Sequence, residues 1–293
     1  MSAFWNISSD IPVLVTGPTA SGKSRLALEI ASRKGGAIVN ADAMQVYQNW
    51  RILTARPSKE DEAAIPHLLY GHIAGEAEYS VGHWLRELRP LMQNGPRPII
   101  VGGTGLYFHA LTEGLAEIPP VPDEVRHEAE TLVQKHGLSA LLSDLDSATL
   151  SDIDEMNPMR VQRAWEVHRA TGKSISKWRK TTEAPLLPLS SCIALAINAP
   201  VEWLNPRIEA RFDMMVENGA IEEASRNRSA WNPEHPSSKA IGARELIRFI
   251  DGDCSLESAR NDAIVATRQY AKRQRSWFRA RMKNWHWLNF DEF

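Results

Sequence analysis

Short uninterrupted apolar runs alternate with polar stretches of helical period along the first hundred residues. Ile11-Pro-Val-Leu-Val-Thr16 stops at Gly17-Pro18 and has the continuous character of a parallel strand buried on both faces. Leu26, Ala27, Ile30 and Ala31 then recur at helical spacing and predict a helix from about Gly22 to Ser32. Ala37-Ile-Val-Asn40 predicts a second strand, and Pro98-Ile-Ile-Val101 a third, closed by Gly102-Gly103. Strands alternating with helices imply a parallel α/β sheet.

Between Ile118-Pro-Pro-Val-Pro122 and Pro185-Leu-Leu-Pro188 the pattern changes. It offers no strand, only amphipathic segments near Asp123–Lys135, Leu138–Leu145 and Pro158–Thr171, with the proline clusters as hinges. Cys192–Ile197 returns as a strand. Helices follow over Glu202–Glu217, Ala220–Asn227, Lys239–Ile250 and about Leu256 to Lys283. The expected organisation is a core from residues 1–117 and 189–293, with an all-helical insertion at 118–188. There are no internal repeats.

Composition narrows the class. Hydrophobic residues make up 43% and charged residues 24% of 293, the mix of an ordinary globular protein. No apolar run approaches the roughly 20 residues of a membrane span. Met1–Asp10 lacks the basic and apolar regions of a signal peptide. A cytoplasmic location and a monomer are therefore expected. Cys192 and Cys254 stand in no motif and read as small hydrophobes. The net charge of -2 conceals a basic stretch: Ala263 to Phe290 has no Asp or Glu but carries Arg268, Lys272, Arg273, Arg275, Arg279, Arg281 and Lys283. Such clustering is compatible with a polyanionic partner and equally with a solvated helix face.

Gly17-Pro18-Thr19-Ala20-Ser21-Gly22-Lys23-Ser24 satisfies G-x-x-x-x-G-K-[ST] between a predicted strand and a predicted helix. This P-loop is the pattern of nucleotide- and ATP-binding proteins. Its backbone N–H groups and helix dipole wrap a phosphate, Lys23 adds a point charge, and the Ser24 hydroxyl suits Mg²⁺. The expected fold class is α/β: a P-loop NTPase-like parallel sheet core flanked by helices, with the helical insertion. A triphosphatase usually adds an acidic strand end, whereas Ile99-Ile-Val101 runs into Gly102-Gly-Thr-Gly105. Asp42 is the carboxylate best placed beside the loop; its other reading is the cap of a helix starting near Ala43.

Several segments occur in the order seen in tRNA dimethylallyltransferases, a family the chain resembles over nearly its whole length. They are Gly17–Ser24, Asp42-Ala-Met-Gln-Val-Tyr47, Thr54-Ala-Arg-Pro57, Pro66-His67, Tyr79-Ser80 and Val101–Phe108. Then come Asn157-Pro-Met-Arg160 through Arg163-Ala164, Arg207-Ile208 with Arg211-Phe212, Ala240-Ile-Gly242, and Ala266–Gln274. Gly-Gly-Thr-x-Leu-Tyr together with Thr-Arg-Gln-x-Ala-Lys-Arg-Gln is the specific pairing.

The resemblance implies transfer of a dimethylallyl group from dimethylallyl diphosphate to N6 of the adenosine 3′ of the anticodon. The P-loop, Lys23, Ser24 with Mg²⁺, and Arg211 would then hold the departing diphosphate. Asp42 would take the N6 proton, and Thr104 would orient the base. Contacts with the tRNA anticodon stem-loop would come from Asp42, Ala43, Met44, Gln45, Thr104, Arg126, Met159, Arg160, Val161, Gln162, Arg163 and Arg273. The insertion and the basic C-terminal helix would clamp the stem-loop from two sides. Of ten tryptophans, Trp277, Trp285 and Trp287 lie in or just after the basic stretch and are expected in packing roles. No Cys/His cluster of the eukaryotic zinc-finger extension precedes Phe293.

The chain departs from the family at Ala43 (usually Ser), at Asn49–Pro57 (usually Gly-Met-Asp-Ile-Gly-Thr-Ala-Lys-Pro), at Pro66–Gly71 (where a His-His-Leu-x-Asp stretch is usual) and at Ala243 (usually Tyr). These positions bear on adenosine and anticodon-loop recognition, not on phosphate ligands. A prenyltransferase of free adenine nucleotides, a small-molecule P-loop kinase and a non-catalytic RNA-binding protein are the competing readings.

Overall fold

A computed structural model describes residues 8–182 and 184–292. The N-terminal segment read against a signal peptide falls largely outside them, at Met1–Ile7. The chain divides into two compact units, 1–112 with 186–293, and 113–185. The division falls a few residues before each boundary expected at 118 and 188. Helix α4 runs on to Glu113, and the Leu187 N–H donates to the Leu111 carbonyl, which holds that segment to the core unit.

In the core unit the strands are β1 (Val13–Thr16), β2 (Ala37–Asn40), β3 (His67–Leu68), β4 (Pro98–Gly102), β5 (Ile193–Asn198) and β6 (His286–Asn289). They form one parallel sheet in the order β3-β2-β4-β1-β5-β6. Helices α1 (Lys23–Lys34), α2 (Lys59–Ala64), α3 (Val81–Asn94) and α4 (Gly105–Glu113) connect its first half. Side chains alternate across the sheet. Val13, Val15, Ile38, Ile99, Val101, Leu195 and Ile197 join one core; Leu14, Val39, Ile100 and Ala196 join the other with Trp84, Tyr107 and Phe278. Burial on both faces is why these strands read as continuous apolar runs.

The second unit is helical: α5 (Asp123–His136), α6 (Ser139–Leu142), α7 (Ser147–Asp152), α8 (Pro158–Thr171) and α9 (Ile175–Arg179). Asn157 caps α8 through the Arg160 N–H, and Val161, Ala164, Trp165 and Val167 on α8 pack with Val121, Ala129, Leu141 and Ile175. The helix expected over Leu138–Leu145 shortens to one turn.

The core unit continues with α10 (Val201–Glu217), α11 (Ala220–Asn227), α12 (Ala243–Ile250) and α13 (Leu256–Arg281). The helix expected from Lys239 begins at Ala243 because Gly242 interrupts it; a 3-10 turn covers Pro236–Lys239. Among the described residues no helix is long and apolar enough to cross a membrane. Trp285 is buried and Trp287 donates its indole N–H to the Met282 carbonyl, so both serve packing. Cys192 and Cys254 are free and half-buried against the two cores, and burial pushes the Cys192 thiol up to about 11.

Candidate active site

The loops after β1, β2 and β4 converge at the carboxyl ends of the strands. The chain leaves β1 through α1 to β2 and inserts β4 between them, so this edge is the switch point where open α/β sheets form a crevice. Thr16 ties the two rims by donating its hydroxyl to the Gly102 carbonyl at 3.1 Å.

The P-loop turns on two left-handed residues, Ala20 (φ 62) and Gly22 (φ 88). Glycine takes this conformation freely and alanine does not, so Ala20 needs external support. Arg207 supplies it, donating Nε–H to the Ala20 carbonyl at 3.1 Å, with its guanidinium 4.3 Å from the Trp203 ring centroid. Ser21 is fully buried and its Oγ has no hydrogen-bond partner. A cavity of about 240 Å³ opens here, lined by Lys23, Ser24, Arg25, Arg207, Arg211 and Met214 among others. Burial and the Arg211 charge pull the Lys23 ammonium down to about 8, partly offset by Asp42. Burial likewise lowers Arg211, against the attraction of Asp42.

Asp42 is held by its backbone rather than by a helix. Asn40 Oδ1 accepts the Asp42 N–H at 2.8 Å, and Asn40 Nδ2 donates to the Asp42 carbonyl at 2.9 Å and to Leu69 at 3.0 Å. One Asp42 oxygen accepts the Met44 N–H at 3.0 Å. No helix starts at Ala43; residues 43–57 run through turns and bends with one isolated bridge from Tyr47 to Ile73, so the alternative reading of Asp42 as a helix cap gives way to a turn cap. Thr104 Oγ1 accepts the Ala43 N–H at 2.9 Å. Asp42 lies within electrostatic reach of the Tyr70, Tyr107 and Tyr270 phenols, all pushed above their ordinary range, chiefly by burial. Thr104 and Gln274, close to the Tyr270 hydroxyl, offset part of its rise.

Gln274 closes the C-terminal motif Ala266–Gln274, whose spacing gives it no role. Buried on α13, it accepts the Thr19 N–H of the P-loop at 2.8 Å and donates to the Gly103 carbonyl at 2.8 Å. One amide thus locks the phosphate loop to the β4 end. A methyl group at Gly103 would collide with that amide. Residues 255 positions apart meet here, a pairing that no local pattern announces.

The departing segment 49–57 has its own support. Buried Glu223 on α11 accepts the N–H groups of Arg51, Ile52 and Leu53 at 2.7, 2.9 and 3.0 Å. Gln45 spends both amide hydrogens on the Thr54 and Ala55 carbonyls. Gly71 is left-handed (φ 54), and the Arg56 guanidinium fills the space its side chain would take.

The remaining expected RNA residues fall into three environments. Ala43 and Met44 pack partly against the two cores. On α13, Lys272, Arg273, Arg279 and Arg281 are exposed, while Arg268 pairs with Glu209 and Arg275 is half-buried. On the helical unit Met159, Arg160 and Arg163 are exposed and Arg126 is 3.6 Å from Asp123. Val161 is fully buried and Gln162 donates to Glu166. The Val161 side chain is therefore a packing position, because α8 turns that face to its core.

Comparison with known proteins now bears on the whole chain. A model of the IPP transferase family matches residues 45–281, and one of isopentenyl transferase matches residues 11–65. A tRNA dimethylallyltransferase of Cereibacter sphaeroides is 56% identical over 95% of this chain and 96% of its own. One from Ruegeria is also 56% identical, with the same coverage. The crystal structure of a tRNA isopentenylpyrophosphate transferase from Bacillus halodurans is 31% identical, with a TM-score of 0.67 over 96% of this chain and 90% of that one. A eukaryotic dimethylallyltransferase acting on tRNA, 23% identical, shares the fold with a TM-score of 0.77 over 97% of this chain and 74% of that one.

Proposed function

The chain belongs to the IPP transferase family, and from that premise we propose that it is a tRNA dimethylallyltransferase. It transfers a dimethylallyl group from dimethylallyl diphosphate to N6 of the adenosine 3′-adjacent to the anticodon, releasing diphosphate. The observation that carries the reading is a P-loop cavity lined by the cations Lys23 and Arg211, both within electrostatic reach of Asp42, whose neighbour Ala43 is held by Thr104.

Cleavage of the allylic C–O bond builds negative charge on the departing diphosphate. Preorganised cations and N–H groups stabilise such charge without reorganising. Lys23 and Arg211 supply the cations, and the loop held by Arg207 and Gln274 supplies the N–H groups. The adenine amine is a weak nucleophile until C–N bond formation makes its proton acidic; Asp42 takes that proton. The Thr104 oxygen is engaged by Ala43, which leaves its own hydrogen to orient the base.

The residues present fit Mg²⁺ held largely by its substrate. Ser24 offers an exposed hydroxyl at the start of α1, and no group of three His, Cys, Asp or Glu among the described residues forms an all-protein metal site. Mg²⁺ commonly takes few protein oxygens beside phosphates and water. It would neutralise diphosphate charge.

A loop adenosine must leave its stack to react. The exposed cations of α13, including Arg273, support a contact with tRNA phosphates, and Arg160 and Arg163 do so on the helical unit. Incubation with dimethylallyl diphosphate, Mg²⁺ and bulk tRNA should yield prenylated adenosine by mass spectrometry. Turnover of ATP on a small molecule, with no prenylated product, would contradict the reading.

A further inference from the structure

Tyr107 carries a feature that the diphosphate chemistry does not use. Its side chain is 3% exposed and its hydroxyl has no hydrogen-bond partner. A buried polar group left unpaired is costly, and proteins rarely keep one without a ligand, an ordered water or strain to account for it. The ring is fixed: it stacks on Trp84 with centroids 4.8 Å apart, and the Trp84 indole donates to the Asn40 carbonyl at 2.7 Å. Asn40 is the residue that holds Asp42. Tyr107 follows Thr104 on the opening turn of α4, with its N–H on the Thr104 carbonyl at 3.0 Å.

Of the other buried side-chain atoms without a partner, Ser21 Oγ sits inside the phosphate loop and is accounted for there. Tyr107 belongs to the opposite sheet face from Leu204 and Ile208 of α10, whose Arg207 and Arg211 line the diphosphate cavity. A dimethylallyl chain has no acceptor to offer. The base that presents N6 to Asp42 has two, the ring nitrogens N1 and N7 on either side of the amine. Burial and the Asp42 charge keep the phenol protonated, hence a donor.

Building on the prenyl-transfer reading above, we infer that Tyr107 reads the acceptor base, donating its hydroxyl to a ring nitrogen that flanks the reacting amine.

The test compares wild type and Tyr107→Phe on synthetic anticodon stem-loops carrying adenosine, 1-deazaadenosine or 7-deazaadenosine at the acceptor position. Tyr107→Phe should lower kcat/KM on adenosine roughly tenfold, the worth of one neutral hydrogen bond. One deaza substrate should cost the wild type a similar factor that Tyr107→Phe no longer feels. The ligand-free variant should melt no lower than wild type, because it loses an unpaired group. Equal Tyr107→Phe losses on all three substrates would overturn the inference. So would a wild type indifferent to both ring nitrogens, whatever the variant does. A wild type that prenylates no adenosine would instead defeat the underlying functional reading.

Discussion

Helix α10 carries charge on two sides and uses the two in opposite ways. Arg207 and Arg211, one turn apart, line the phosphate cavity. Glu209 and Asp213, also one turn apart and about 200° around the helix, hold α13. Asp213 takes a bidentate grip on Arg260 at 2.5 and 2.7 Å, and Glu209 pairs with Arg268. Charges on the second side are spent on each other and in part exposed. On the first side Arg211 repels both Lys23 and Arg207, and the carboxylate that acts on Lys23 and Arg211 is Asp42. Mutually satisfied charges build scaffold; like charges gathered without partners mark where an anion binds.

The largest effect should come from neutralising Asp42, the carboxylate beside the cationic side. Asp42→Asn should slow single-turnover prenyl transfer by about 10²–10⁴-fold, the usual worth of a general base, with donor and tRNA affinity nearly kept. If Asp42 only capped its turn, the variant would lose stability and turn over normally per folded molecule.

Next in size is a pH limb. Lys23 titrates near 8 in the free protein, so kcat/KM for the donor should fall as pH rises through about 8, approaching tenfold per unit. Lys23→Arg should abolish the limb, since a guanidinium stays charged. The stability sign is opposite. A lysine whose pKa is lowered from 10.5 destabilises the ligand-free fold while charged, and the penalty fades between about 8 and 10.5. Lys23→Met should therefore raise the melting temperature at pH 7, and the gain should shrink at higher pH.

A third test concerns cations of α13 that lie on neither side of the comparison. Arg273→Ala should reduce the slope of log K against log salt for tRNA binding by about 0.7–0.9 if it meets one phosphate. Its donor affinity should stay put. The smallest effect belongs to the scaffold side. Glu209→Gln and Asp213→Asn should leave turnover unchanged and shift the melting temperature by no more than about 2–4 °C.

Legibility followed locality. The apolar runs at Val13, Ala37, Pro98 and Ile193 announced four strands because burial on both faces leaves no polar interruption. His67–Leu68 is too short to signal, and His286–Asn289 too exposed. The P-loop stood out because its chemistry demands particular types at fixed spacing; Asp42 stood out by its place after the second strand, and the roles of Asp42 and Thr104 came through the family resemblance. The Arg207 grip on Ala20, the Gln274 bridge and the Glu223 seat under Arg51–Leu53 join residues more than 150 positions apart. Nothing in a local pattern distinguishes those side chains from surface ones. The alternative reading of Asp42 as a helix cap arose for a related reason: a carboxylate before small residues is as good a turn former as a helix cap.

The contrast between the two sides of α10 is tested most directly by inorganic pyrophosphate, which resembles the leaving group and nothing else in the reaction. It should be titrated calorimetrically, with Mg²⁺, into wild type, Arg211→Ala and Glu209→Gln. The expected result is equal affinity for wild type and Glu209→Gln, and a loss of about tenfold or more for Arg211→Ala, the worth of a charge-assisted contact. Pyrophosphate binding that ignores Arg211, or that falls equally in Glu209→Gln, would contradict the account.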